Sequence, residues 1–316
     1  MAQSATRPLA RARPREVDRP RVAGSSAATP YLFLAPFLVL FGVFVLGPSL
    51  YALWISLHEW NYLTGDQPWT GLANFTDLFE AGTASGRFFW QSMGATGKFV
   101  LFSVPPLVLV PLGVALVLNA KFPGRNFFRA VYFAPYVLGV AVVSLTWRFL
   151  LDPAIGLVNF YLTEWGIIDT PIAWTNSLPW AWVTLVLVTV WWTLGFNTVI
   201  YLAGLQDVSR DLVEAARVDG ASRWQVFRHV TVPQLRNVFV FVITVTIIAS
   251  ANMFGQSYMI TQGAPGDETR TAIMYIAQEG FQFKRMGNAA AMSVILGLFL
   301  AALGALNFAV FRGRGE

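Results

Sequence analysis

The sequence predicts an all-α integral membrane protein, and three observations support that fold class. Apolar residues make up 55% of the 316 residues and charged residues only 12%, and the mean hydropathy is +0.54, values that are unusual for a soluble domain. Six stretches almost free of charge are long enough to cross a bilayer. Lys and Arg are concentrated in alternate segments between those stretches, as in multi-span proteins.

The six predicted spans cover about residues 31–57, 99–118, 131–151, 180–203, 237–260 and 288–311, each near the ~20 residues that a spanning helix needs. The first is too long and too apolar for a secretory signal, so we expect it to remain in the mature protein. Residues 1–29 contain few large apolar groups, which predicts a disordered basic tail before a transmembrane domain over residues 30–316.

The distribution of cations predicts the orientation. Sixteen of the 22 Lys and Arg residues lie in the N-terminal tail, the second and fourth inter-span segments and the C-terminal tail. Both termini are therefore expected to be cytoplasmic. Residues 58–92, 152–179 and 261–287 then face outward and can receive a soluble partner. The basic tail lacks the interleaved aromatic residues of a nucleic-acid interface, which argues against nucleic-acid binding.

The polar segment between the fourth and fifth spans, residues 205–236, predicts a helical hairpin. Ser209 is placed to cap a first helix, and Gly220 is a natural residue for its C-terminal turn. Ser222 and Gln225 form a capping box for a second helix, which Pro233 is expected to end. An ordered hairpin between two spans favours a docking element, and the alternative is an amphipathic surface hairpin that binds nothing.

At this hairpin the chain resembles the permease subunits of binding-protein-dependent ABC importers. Glu214-Ala215-Ala216, Gly220 and Pro233 fit the spacing of their cytoplasmic loop, with Val230 and Val232 in place of the usual Ile and Leu. The resemblance implies a six-helix type I importer permease whose coupling helices sit in a cleft of an ATPase subunit. The residues expected to make or shape that contact are Glu214, Ala215, Ala216, Asp219, Gly220, Ala221, Trp224, Phe227 and Pro233.

Five shorter segments are similar to the carbohydrate branch, the maltose and multiple-sugar permeases. They are residues 31–36, 71–75, 124–129, 201–206 and 261–265, the last with Ala264 where the family has glycine. The resemblance implies a multi-pass protein of the bacterial inner membrane that imports a sugar or oligosaccharide. It also implies a second permease subunit, two ATPase subunits and an extracytoplasmic solute-binding protein as partners.

The sequence offers little material for an enzyme. It contains no cysteine and two histidines, and the cores of the predicted spans contain no acidic residue, so no catalytic residue and no metal site is predicted. Residues 92–99 end like a phosphate-binding loop but lack its first glycine and its final Ser or Thr. The chain is therefore expected to have no ATPase site, and the resemblance implies that ATP and Mg²⁺ are bound by the partner ATPase.

Neutral polar residues inside the fourth and fifth spans suggest a path for the solute. Asn197, Asn252, Gln256 and Tyr258 are costly against lipid and are expected to face the bundle interior, with Trp192 nearby. Amides and aromatic faces suit an uncharged sugar, although the same residues also serve interhelical packing. Two alternatives remain open: a permease for a phosphorylated polyol such as glycerol phosphate, which needs a cation on the path, and a passive solute channel.

Overall fold

A computed structural model describes residues 29–61, 63–80, 82–120 and 122–312. The predicted tail, residues 1–29, lies outside the described residues except for its last position. Within the described part of the chain the regular structure is helical, apart from one antiparallel bridge between His58 and Trp69. This agrees with the all-α prediction.

Besides two π-helical turns, Ser257–Thr261 and Gln278–Gln282, twelve helices are assigned to the described residues. They are α1 (Tyr31–Ser56), α2 (Ala73–Thr76), α3 (Ala84–Asn119), α4 (Arg125–Val137), α5 (Val140–Leu150), α6 (Leu157–Glu164), α7 (Trp180–Gln206), α8 (Arg210–Val218), α9 (Arg223–Gln234), α10 (Arg236–Ala251), α11 (Ala272–Ala277) and α12 (Met286–Arg312). Helices α1, α3, α7 and α12 are long and apolar enough to cross a membrane. The bent pairs α4–α5 and α9–α10 raise the number of candidate spans to six if each pair is one span.

Contacts along the chain separate two compact units, Met1–Tyr51 and Ala52–Glu316. The described part of the first unit consists of α1 up to Tyr51. Its helix contains Pro36 and a π-helical turn over Gly42–Leu46. The extra residue of a π turn interrupts the regular hydrogen-bond ladder, so α1 is not a uniform α-helix.

The second unit is organised around α3, which contributes to three apolar clusters. The first turns of α3 place Phe89 in a cluster with α11 and α12. Its middle places Phe99 in a cluster with α5 and α7, and its last turns place Leu112 in a cluster with α7 and α10. With 36 residues, α3 is about 54 Å long at 1.5 Å per residue. It therefore extends beyond a hydrocarbon core of about 30 Å.

Helix α3 begins well before residue 99, where the second span was predicted to start. The hydroxyl of Thr83 caps it by accepting a hydrogen bond from the backbone N–H of Gly86 at 3.3 Å. The span was predicted to start after Lys98, because a charged side chain is costly inside the membrane. In the structure Lys98 is half exposed and forms a 2.8 Å salt bridge with Glu268, so the helix continues past the apolar stretch.

The third and fifth predicted spans are not continuous helices. Helices α4 and α5 meet at 97°, because Leu138 and Gly139 are extended and the indole of Trp192 donates to the Leu138 carbonyl at 3.0 Å. Helix α10 ends at Ala251 rather than at residue 260. There the amide of Asn252 donates to the carbonyl of Ile248 at 2.7 Å. At each break a side-chain N–H donates to a backbone carbonyl near the helix end. An apolar sequence pattern cannot reveal such hydrogen bonds.

Candidate functional site

The segment between α7 and α10 folds into the predicted hairpin of two helices. The Ser209 hydroxyl accepts from the N–H of Leu212 at 3.4 Å and caps α8. At the start of α9, the Ser222 hydroxyl accepts from the Gln225 N–H, while the Gln225 side chain accepts from the Ser222 N–H at 2.7 Å. The predicted N-cap and capping box are thus both confirmed. Helix α9 ends at Gln234, one residue after Pro233.

Gly220 forms the turn between α8 and α9 in a left-handed conformation, with φ of 83°. The Ala221 N–H donates to the Ala216 carbonyl at 2.9 Å and the Gly220 N–H donates to the Arg217 carbonyl at 3.1 Å. This pair of bonds is a Schellman motif, which needs a residue that tolerates positive φ. A Cβ on Gly220 would meet nothing within 4 Å, so the requirement for glycine is conformational.

The inner side of the hairpin is fixed to the helical bundle. Phe227 packs against the cluster formed by α3, α7 and α10, and Val226 beside it is buried. The two ends of the hairpin are also joined, because the Gln234 side chain accepts a 2.9 Å hydrogen bond from the N–H of Ser209. The hairpin therefore forms one packed body with the end of α7 and the start of α10.

The outer side of the hairpin is exposed and carries both charge and apolar surface. Glu214 is exposed, and no described cation forms a salt bridge with it. Large apolar side chains flank it: Leu212 is 55% exposed, Val218 87% and Trp224 65%. The other predicted contact residues Ala215, Asp219, Gly220 and Pro233 are exposed, whereas Ala216 and Ala221 are half-buried. Such a patch is typical of a protein interface.

A central cavity of about 480 Å³ lies among the helices of the second unit. Helices α7 and α10 and the residues just after α10 supply most of its wall, with α3 and the α4–α5 bend supplying the rest. None of its described lining residues is charged. They are Phe99, Leu107, Tyr136, Val140, Thr189, Trp192, Thr193, Phe196, Asn197, Val245, Thr246, Ala249, Ser250, Asn252, Met253, Phe254, Gly255 and Gln256.

Four of the five residues predicted for the solute path line this cavity: Trp192, Asn197, Asn252 and Gln256. Tyr258 does not line it. Instead, its ring stacks on Phe254, with centroids 5.2 Å apart, and Phe254 is a lining residue.

The three amides of the cavity differ in their partners. Asn197 is buried and donates to the Leu107 carbonyl at 2.9 Å, so its amide joins α7 to α3. The Asn252 amide donates within its own helix end. Gln256 is 8% exposed, and its side chain forms no hydrogen bond with another described side chain or backbone group. The Gln256 amide is therefore available to hydrogen-bond a further group in the cavity.

Sequence reasoning missed an aromatic pair in the cavity wall. The rings of Tyr136 and Phe196 stack with centroids 5.1 Å apart and planes 20° apart. Tyr136 lies beside the α4–α5 bend, which the apolar pattern did not reveal. Phe196 directly precedes Asn197, and this proximity in sequence was the only available signal. Stacked aromatic faces are suited to packing against the apolar face of a sugar ring.

Comparisons with known proteins match most of the chain. The family described as "Binding-protein-dependent transport system inner membrane component" matches residues 81–312. The arabinooligosaccharides transport system permease protein AraP of Bacillus subtilis is 32% identical over 297 residues, which cover 92% of each chain. The trehalose/maltose transport system permease protein MalF of Thermococcus litoralis is 32% identical over 265 residues, which cover 84% of this chain and 87% of MalF.

One solved structure extends the comparison to the fold. It is the crystal structure of a bacterial ABC transporter involved in the import of the acidic polysaccharide alginate. A chain of that transporter aligns with a TM-score of 0.75 at 22% identity, over 91% of this chain and 96% of that chain. At this level of identity the similarity establishes the fold alone.

Proposed function

This chain belongs to the family of binding-protein-dependent transport system inner membrane components, and we propose that it forms the translocation path of a sugar importer. As a member of this family, the chain is a multi-pass inner-membrane permease without ATPase activity, and ATP is bound by separate ATPase subunits.

One observation carries the proposal: the helices that flank the hairpin also line the cavity. Helix α7 ends at Gln206 and α10 begins at Arg236, on either side of the hairpin, and together they supply Trp192, Asn197 and Thr246 to the cavity wall. A displacement of the hairpin therefore moves two walls of the cavity directly. Such rigid-body coupling is a known route for transmitting closure between subunits.

The solute is a neutral sugar or oligosaccharide. The cavity combines aromatic faces with amides and hydroxyls, and it has no charged residue among its described lining residues. A phosphorylated polyol would need Arg or Lys to offset its charge in this low-dielectric setting, so the same observation disfavours that alternative. Support also comes from the relatives AraP, which is named for arabinooligosaccharides, and MalF, which is named for trehalose and maltose.

The exposed side of the hairpin is the proposed contact with the ATPase. Glu214 would form a charge-assisted contact, and Leu212 and Trp224 would bury apolar area in the partner's cleft. Gly220 maintains the angle between the two helices, and Phe227 anchors them to the bundle. Ala215, Ala216, Asp219, Ala221 and Pro233 complete the proposed surface or its support.

The proposed assembly also contains a second permease subunit and an extracytoplasmic solute-binding protein. In the bilayer we place both termini and the hairpin on the cytoplasmic side, because the cations are concentrated there. The outward segments, which include α2 and α11, then face the binding protein. We take residues 30–316 as the transmembrane domain, and we expect no nucleic acid among the partners.

The test is ATP-dependent uptake into proteoliposomes that contain the complete complex of this chain with its companions. Neutral oligosaccharide uptake that requires both ATP and the binding protein is the expected result. Uptake of glycerol phosphate instead would support the phosphorylated-polyol alternative, and flux through this chain alone without ATP would support a passive channel.

A pair of variants tests the cavity itself. Gln256→Leu should raise the KM for uptake, because it removes an unpaired amide from the cavity wall. Asn119→Leu alters an exposed amide at the end of α3 that lines neither the cavity nor an outward segment, and it should leave KM unchanged. Equal kinetics for the two variants would remove Gln256 from the path.

A further inference from the structure

An apolar groove of about 940 Å³ lies between α3 and α7 and shares no lining residue with the central cavity. Helix α3 presents Phe102 and Pro106 to it, four residues apart on one face. Helix α7 presents Val183, Leu187 and Leu194, which also recur at helical spacing. The groove therefore runs along both helices.

The length of the groove corresponds to one leaflet of a bilayer. Its lining on α7 extends from Trp182 to Leu194, which is a rise of about 18 Å. Half of a typical hydrocarbon core is about 15 Å. A spanning helix from another subunit would need about 20 residues and about 30 Å. The groove fits an extended acyl chain better than a second helix.

Both charges that line the groove lie at one end of it. Lys98 precedes Phe102 by one turn of α3, and the Phe102 ring lies 6.4 Å from the ring of Trp182 near the start of α7. The ion pair therefore lies at the end of the groove where α7 begins, with Lys98 Nζ and Glu268 Oε2 2.8 Å apart. Their side chains are 51% and 38% exposed. One carboxylate oxygen and two ammonium protons therefore remain for a further partner. Opposite charges at one end of an apolar groove match a headgroup that carries both signs.

We propose that this groove binds one membrane phospholipid whose headgroup is zwitterionic and ends in a primary amine. The lipid phosphate accepts a hydrogen bond from Lys98, the headgroup ammonium donates to Glu268, and an acyl chain lies along Leu187 and Leu194. A purely anionic headgroup would satisfy Lys98 but would face the carboxylate of Glu268. A choline headgroup has no N–H to donate to that carboxylate.

The test places a photoreactive amino acid at Leu187, which is 52% exposed in the groove, in the full-length chain in native membranes. After irradiation the adduct is identified by mass spectrometry. The expected adduct is a phospholipid, with primary-amine headgroups enriched about fivefold over the bulk membrane, which corresponds to about 1 kcal/mol. In the Lys98→Gln, Glu268→Gln variant the ratio should fall to that of the bulk membrane.

Three outcomes would overturn the proposal. A protein adduct would assign the groove to another subunit, and the absence of any lipid adduct would leave it without the proposed occupant. Lipid adducts at the bulk headgroup ratio would mean that the ion pair selects nothing. None of these results depends on which solute is transported, so they are distinguishable from a failure of the proposed transport function.

Discussion

Glu279 lies in the π-helical turn Gln278–Gln282, directly after α11, and its exposed fraction is 0%. Its Oε1 accepts from Arg285 at 2.7 Å and from Ser85 at 3.5 Å, while Oε2 has no partner. Burial and then the charge of Glu279 raise the pKa of the neighbouring Tyr275 to about 12, so that phenol stays neutral at physiological pH. Arg285 is thus the main compensation for a buried charge.

We expect Arg285→Gln to lower the free energy of unfolding by about 2 kcal/mol, less than for a fully buried pair because Arg285 is 52% exposed. Equilibrium unfolding in detergent micelles measures the change. The matched control is Lys98→Gln, which breaks a pair exposed on both sides and should cost at most about 1 kcal/mol. Adding Glu279→Gln to Arg285→Gln should recover part of the loss. Equal losses for the two single variants would contradict this account.

Gly220 has a φ of 83°, which is unfavourable for any branched residue. Gly220→Val should disrupt the Schellman turn and abolish ATP-driven uptake, while the protein still inserts into the membrane. Gly220→Asn should retain most of the uptake, since asparagine tolerates this conformation. Uptake assays with immunoblots of the membrane fraction separate the two effects. Normal uptake by the valine variant would count against the coupling role of the hairpin.

Among the elements, the contact between α4 and α7 depends on Gly195. A Cβ there would lie 2.5 Å from the Phe133 Cα and 2.7 Å from the Tyr132 carbonyl oxygen, and neither backbone atom can move without the helix. Gly195→Ala should therefore separate the helices and cost about 1–3 kcal/mol of stability. Because α4 and α7 carry the stacked Tyr136 and Phe196, uptake should fall as well.

The control for this prediction is Gly113→Ala in α3, where an added Cβ would meet nothing within 4 Å. That change should stabilise the protein by up to about 1 kcal/mol, because alanine is the better helix former. Unfolding curves recorded side by side measure both changes. A destabilisation of the same size in both variants would show that the loss at Gly195 is not a packing effect.

The sequence located the elements whose signals are local. Charge-free stretches marked α1, α7 and α12, and the serines at 209 and 222 marked the two hairpin helices. The break at Leu138 was not predictable, because it depends on a donor from a distant helix, Trp192. The break at Asn252 lies inside a charge-free stretch, so the apolar pattern continued across it although its hydrogen bond to Ile248 is local. The residues of the cavity wall were likewise predictable only where their signal is local. Polar residues inside spans indicated Asn252 and Gln256, whereas Tyr136 and Phe196 come together only when α4 packs on α7.

For the whole molecule, the attachment of the hairpin to α7 and α10 implies that these parts move as one body. Its inner side packs on the bundle through Phe227, and its two ends are joined by the hydrogen bond between Ser209 and Gln234. A covalent link across those ends should therefore leave transport intact. The chain contains no cysteine, so two introduced thiols are the only ones present.

We expect the Ser209→Cys, Gln234→Cys variant, cross-linked by a short bismaleimide in the complete importer, to keep the ATP-driven uptake of the same variant before cross-linking. The reason is that a link within a rigid body restricts no motion needed for the cavity to open alternately to each side. The single-cysteine variants treated with the same reagent control for modification alone. If only the cross-linked protein lost uptake, the two ends of the hairpin would have to separate during each cycle, and the hairpin would act as a hinge instead of a rigid lever.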